Sequence, residues 1–139
     1  MNLSPSEIRT RLPHAPPFVL VDRVENAAAG RGRALKTFTP DEPWFAWHFP
    51  GDPVVPASIV LEAMAQAAGL VHSADAAPGP PLRVYAAVSN FRIRRPLRPG
   101  DAITIDVART AVLGTLVRFE TVARLNGAVA AEAEITLGA

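Results

Sequence analysis

The stretch PASIVLEAMAQAAGLVH, residues 56–72, reads as one helix that leaves almost no face for water. Pro56 suits the first turn of a helix, where its missing N–H costs nothing. Beyond it Ile59, Val60, Leu61, Ala63, Met64, Ala67, Ala68, Leu70 and Val71 cover nearly every side, the pattern of a helix buried all round. The run is too short and too interrupted to span a bilayer. From residue 82 the chain is strand-like to its end: LRVYAAVSNFRIRRPL (82–97), the turn RPGD, AITIDVART (102–110), the turn LG, TLVRFETVARL (115–125) and AVAAEAEITL (128–137). Asn126-Gly127 between the last two is a strong hairpin signal. One buried helix embedded in an antiparallel sheet is an α+β arrangement.

Upstream, Ser4 caps, Pro5 suits the first helical position and Glu7 completes a capping box, so a short helix starts here. Pro13, Pro16 and Pro17 end it. FVLVDRV (18–24) and RALKTFT (33–39) read as strands across a turn containing Gly30. Pro40, Pro43, Pro50, Pro53 and Pro56 make residues 40–56 a structured loop, and ADAAPGPP (74–81) is a second loop. No repeat or domain-scale linker interrupts residues 1–139, which read as a single domain with a sizeable core.

Composition narrows the function. Hydrophobic residues make up 49% and charged residues 19%, which is globular rather than disordered. With no cysteine there is no disulfide or thiolate metal site. His14, His48 and His72 show no metal-ligand spacing, so no metal is expected. The charged, proline-rich N-terminus is no secretory segment, and a soluble cytoplasmic protein without membrane association is the expectation. A net charge of +1 makes no case for nucleic acid. The positive charge is nearly all arginine, thirteen against the single Lys36.

Two polar residues stand out. Ser58, Glu62 and Gln66 recur every four residues, so they lie almost one above another on the helix. A lone buried glutamate is costly. Either Glu62 and Gln66 satisfy each other or backbone groups, or Glu62 is a carboxyl raised by apolar surroundings into a general acid. His48 is either a packed, hydrogen-bonded residue or a base active near neutral pH. Its loop leads into the N-terminus of the Glu62 helix, where free N–H groups and the dipole favour developing negative charge. Base, acid and oxyanion donors in one neighbourhood suit proton abstraction next to a carbonyl. Spacing goes no further.

HFPGDPVVPASIVLEAMAQ (48–66) resembles the (3R)-hydroxyacyl-acyl-carrier-protein dehydratases of type II fatty acid synthesis. Their pattern runs His-Phe-Pro-Gly-x-Pro-Val-Met-Pro-Gly, then Glu-Ala-Met-Ala-Gln, with the same separation of histidine and glutamate. LPHAPPFVLVDRV (12–24), DEPWFAWHF (41–49) and FRIRRPLRPGD (91–101) extend the resemblance over essentially the whole chain. It implies the hotdog fold, a long helix wrapped by a curved sheet, and a homodimer with sites across its interface, with a trimer of dimers as an open extension. It also implies that His48 of one subunit removes the C2 proton while Glu62 of the other protonates the departing 3-hydroxyl. The N–H at position 57 would bond the thioester oxygen, and no cofactor is implied.

The chain departs from the family at three places: Ala57 for glycine, Val55 for methionine, and Trp47 for a small residue. With Ser58 and Gln66 these are the expected substrate-binding positions. The departures point to a specialised substrate, in polyketide or pigment synthesis for instance, or to a weakened enzyme. Pro56 and Ser58 on either side favour helical φ and ψ at Ala57, where alanine is comfortable. Arg92 and Arg94 alternate with Phe91 and Ile93 and should share one strand face. With Arg95 they form either a solvated face or a docking surface for an acidic carrier protein and its phosphopantetheine phosphate. A hotdog thioesterase, using a helix carboxylate to activate water, and a non-catalytic acyl-binding or scaffolding partner remain as alternatives.

Overall fold

The computed structural model describes residues 1–139. Its elements run α1 (Pro5–Arg11), β1 (Arg23–Ala28), β2 (Arg31–Thr37), a 3-10 turn (Pro43–Ala46), α2 (Ala57–Asp75), β3 (Val84–Ile93), β4 (Ala102–Leu113), β5 (Leu116–Leu125) and β6 (Ala128–Gly138). The six strands form one antiparallel sheet in the order β1-β2-β4-β5-β6-β3. α2 packs against β1, β2, β4, β5 and β6, so the sheet wraps the helix in the α+β hotdog arrangement.

Local chemistry sets the elements. Ser4 accepts from the Glu7 N–H while Glu7 reaches back to the Ser4 N–H, the expected capping box of α1. Buried and partly exposed residues alternate along the middle of β4 and β5, with Ile103, Ile105, Val107, Val117 and Phe119 turned toward the helix. Asn126 and Gly127 have φ of 51° and 82°, the left-handed pair that a tight hairpin requires. α2 contributes Val60, Ala63, Met64, Ala67, Ala68, Leu70 and Val71 to one core with Phe38, Phe119 and Ile135. It runs past His72 to Asp75.

Two expectations fail locally. Residues 18–22 are not a strand: the Leu20 N–H donates to Gln66 Oε1 at 2.8 Å and the Phe18 carbonyl accepts from Gln66 Nε2 at 2.9 Å. A side chain of α2 satisfies backbone groups that a ladder would otherwise use, and pairing with β2 starts only at Asp22, whose N–H reaches the Leu35 carbonyl. The strand carrying Arg92 ends at Ile93, so the alternation that would align Arg92 with Arg94 stops before Arg94. A bulge at Asn90, with φ of 53°, also breaks the register of β3 with β6.

The proline loop is anchored from below. Lys36 is buried on β2, 2.9 Å from Glu42 and 5.3 Å from the centre of the Phe38 ring. The bond joins the start of the loop to the sheet, with Trp44 and Phe45 buried just beyond it. At the far edge, β3 pairs only with β6, and none of its residues is buried. Its Val84, Tyr85, Val88 and Ile93 are exposed large hydrophobic residues on an open edge, where strand N–H and C=O groups also lack partners. No helix is long and apolar enough to cross a membrane.

Candidate active site

The first turn of α2 presents free donors. Pro56 occupies the N-cap and brings no side-chain oxygen to the helix. The N–H groups of Ala57 and Ser58 reach no acceptor in the chain, and both residues are exposed. Two unpaired donors and the helix dipole therefore point to where negative charge would be stabilised. Ala57 is helical and lies outside the left-handed region, so alanine is unstrained there and keeps its N–H available.

His48 stands at the mouth of a loop that closes on itself. Val54 N–H donates to the His48 carbonyl at 2.8 Å, and His48 Nδ1 lies 3.0 Å from the Val54 carbonyl oxygen. A carbonyl only accepts, so Nδ1 carries the proton and Nε2 keeps a free lone pair. That tautomer is the one a general base needs. Phe49 stacks on the imidazole at 4.2 Å between ring centres. Arg98 holds the loop through Asp52 at 2.8 Å, and the Val55 N–H bonds the Leu97 carbonyl at 2.8 Å. Together they tie the histidine loop to the segment after β3.

Glu62 sits one turn into α2, half-buried, within a cage of three side chains. Oε1 receives Gln66 Nε2 at 3.1 Å and faces His14 Nε2 at 3.1 Å, while Tyr85 donates its hydroxyl to Oε2 at 2.5 Å. His14 Nδ1 is buried without a partner, so a proton there would be stranded. The proton therefore belongs on Nε2, directed at Glu62. Burial pushes the Tyr85 hydroxyl far above the ordinary tyrosine range, and the bond to Glu62 and its charge act in the same direction. The cleft over Glu62 is small in the single chain, about 10 Å³. A cavity of about 570 Å³ lies between α1, the C-terminal half of α2 and residues 76–82, and contains neither His48 nor Glu62.

A FabA-like domain matches residues 12–134, nearly the whole chain. The chain belongs to the FabA-like family. It is 43% identical over 133 residues to the 3-hydroxyacyl-[acyl-carrier-protein] dehydratase FabZ of Acidovorax sp. (strain JS42), covering 93% of this chain and 92% of that one. To the protein of the same name from Aromatoleum aromaticum it is 44% identical over 135 residues, covering 94% and 93%. Among solved structures it resembles the dehydratase heterocomplex ApeI:P from Xenorhabdus doucetiae, with a TM-score of 0.79, 19% identity, and coverage of 94% and 89%. A hypothetical thioesterase with coenzyme A from Streptococcus pneumoniae has a TM-score of 0.64 at 14% identity, with coverage of 83% and 82%, a likeness of fold alone.

Within this FabA-like chain the expected site residues fall into separate groups. Glu62 and Gln66 meet, as the helical stripe implies, and His48 is not among the partners of Glu62. Gln66, expected to bind substrate, is instead 2% exposed, and both its amide hydrogens are committed, to Phe18 and to Glu62. It holds the 18–20 segment and the catalytic candidate in place. Val55 is likewise in the core, so its smaller size acts on the packing behind the histidine loop. Trp47 is 64% exposed and Ser58 lies open beside the free N–H groups. Arg94 pairs with Glu132 at 2.5 Å, whereas Arg92 and Arg95 form no ion pair and remain exposed.

His14 and Tyr85 escape a reading by sequence. His14 lies in a proline-rich segment without periodicity, and only the path of that segment across α2 brings its ring to Glu62. Tyr85 is the single tyrosine in the chain, a faint signal in an otherwise apolar run. His72 is remote and structural. Its Nδ1 accepts from Arg109 at 3.2 Å, and burial, then the Arg109 charge, lower its proton affinity.

Proposed function

We propose that this protein dehydrates (3R)-3-hydroxyacyl thioesters held on an acyl carrier protein to trans-2-enoyl thioesters, in fatty acid synthesis or a related polyketide or pigment pathway in the cytoplasm. The observation that carries the reading is the tautomer of His48. A histidine whose Nδ1–H is spent on a carbonyl has its Nε2 lone pair free, in a chain over 40% identical to named dehydratases.

The chemistry follows from these groups. His48 Nε2 takes the C2 proton, which the thioester acidifies. The N–H of Ala57 bonds the thioester oxygen as charge builds there. Glu62 gives a proton to the 3-hydroxyl, which leaves as water. Proton balance closes when His48 returns its proton, through solvent, to Glu62.

His48 and Glu62 share no contact within one chain. That separation favours a homodimer in which His48 of one subunit faces Glu62 of the other. The open, apolar edge of β3 is the surface such a dimer would cover. Trp47 and Phe49, exposed on the histidine loop, would then border the substrate.

Docking of the carrier falls to Arg92 and Arg95, with Arg94 partly neutralised by Glu132. Charge reversal at Arg92 and Arg95 is expected to weaken turnover of carrier-bound substrate, most strongly at low salt, and to spare a small thioester mimic. Steady-state kinetics on the two substrates check this, and equal losses on both would assign the arginines a structural role.

The deciding experiment incubates one 3-hydroxyacyl thioester with the protein while recording enoyl absorbance and free thiol. Dehydration gives enoyl signal without thiol. Thiol release would establish a thioesterase, and neither signal would leave an acyl-binding partner.

A further inference from the structure

Glu62 has two carboxylate oxygens, and their surroundings differ. Oε1 is met by two donors, Gln66 Nε2 and His14 Nε2, which occupy both of its lone pairs. Oε2 is met by one, the Tyr85 hydroxyl, and keeps one lone pair open. If Glu62 exchanges a proton with substrate, only Oε2 is free to do so. Tyr85 is thus bonded to the working oxygen. It reaches across from β3, so the bond also joins the helix to the free edge of the sheet.

We propose that Tyr85 is a positioning residue of the reaction, holding Glu62 Oε2 toward the substrate and stabilising the charge that appears there as the proton leaves. The inference rests on Glu62 being the acid. While Glu62 is protonated on Oε2, the tyrosine finds a poor acceptor. As the proton passes to the departing hydroxyl the same oxygen becomes anionic, and the bond strengthens. An interaction that grows along the reaction lowers the barrier rather than tightening the ground state. Tyr85 keeps its own proton throughout, because burial and the neighbouring carboxylate oppose its ionisation. The titratable and charged groups around Glu62 are His14, Tyr85 and Arg83, the last lining the same cleft.

The test is Tyr85→Phe in the full chain, which keeps the ring and removes only the hydroxyl. It is measured alone and combined with Glu62→Gln. We expect kcat to fall roughly ten- to a hundredfold, the size of one hydrogen bond to a charged group, with KM changed less than about threefold. In the Glu62→Gln background the same change should cost nothing further. An unchanged kcat, a loss confined to KM, or an equal loss in the Glu62→Gln background would each overturn the role of Tyr85. An active Glu62→Gln protein would instead overturn the acid assignment on which it rests.

Discussion

Replacing His48 by alanine is expected to lower dehydratase turnover by roughly 10²- to 10⁴-fold, the range for loss of a general base, and Glu62→Gln should do the same for the acid. Neither change should unfold the protein. His48 is only half-buried, and its side chain makes one hydrogen bond, to the Val54 carbonyl, so alanine there should cost about 1 kcal/mol. In Glu62→Gln the new amide matches the shape of the carboxylate and its oxygen still accepts hydrogen bonds, while the proton to donate is lost. The check is kcat on a 3-hydroxyacyl thioester beside a melting temperature for each variant. Near-normal turnover in His48→Ala, with the fold intact, would remove this histidine from the chemistry. A collapse in melting temperature would mean that the loop, rather than the base, had been lost.

The second large effect is recovery of activity from two inactive proteins. One chain carries His48→Ala and keeps Glu62; the other carries Glu62→Gln and keeps His48. If each site draws His48 from one subunit and Glu62 from the other, a mixed dimer contains one intact site and one doubly damaged site. Random exchange at equal concentrations makes half the dimers mixed, so about a quarter of wild-type activity should return. A site confined to one chain predicts no recovery at any mixing ratio. The expectation rests on where the single chain places these groups. Glu62 is enclosed by His14, Gln66 and Tyr85, and His48 is turned to its own loop. Mass spectrometry of differently tagged chains verifies that exchange took place.

The three departures from the family pattern differ in what they can change. Ala57 takes helical geometry and retains its N–H, so the loss of glycine removes neither the donor nor the backbone conformation. Trp47 is the departure with room to act, a large ring exposed next to the histidine. Val55 lies beneath, where a smaller side chain is absorbed by the core. Of the three, the tryptophan is the residue to vary when acyl preference is mapped.

Much of this protein is written in local pattern. The capping box of α1, the all-round apolar surface of α2 and the Asn126-Gly127 hairpin each depend on residues within a few positions of one another, and each forms as the spacing implies. The Ser58-Glu62-Gln66 stripe is equally local, since helical geometry alone stacks those side chains. The motif that joins His48 to Glu62 can likewise be read directly, because its identity lies in consecutive residues. The surroundings of the stripe cannot. Residues 18–22 have the composition of a strand, but the Leu20 N–H and the Phe18 carbonyl are bonded to Gln66, 46 and 48 residues away. The lone pairs of Glu62 are shared among Gln66 on its own helix, a histidine in an aperiodic segment and a tyrosine on the far edge strand. Which oxygen stays open, and which nitrogen of His48 keeps its lone pair, depends on contacts that no spacing encodes. Helix and turn geometry act over a few residues, whereas hydrogen-bond partners are chosen only when distant segments pack together.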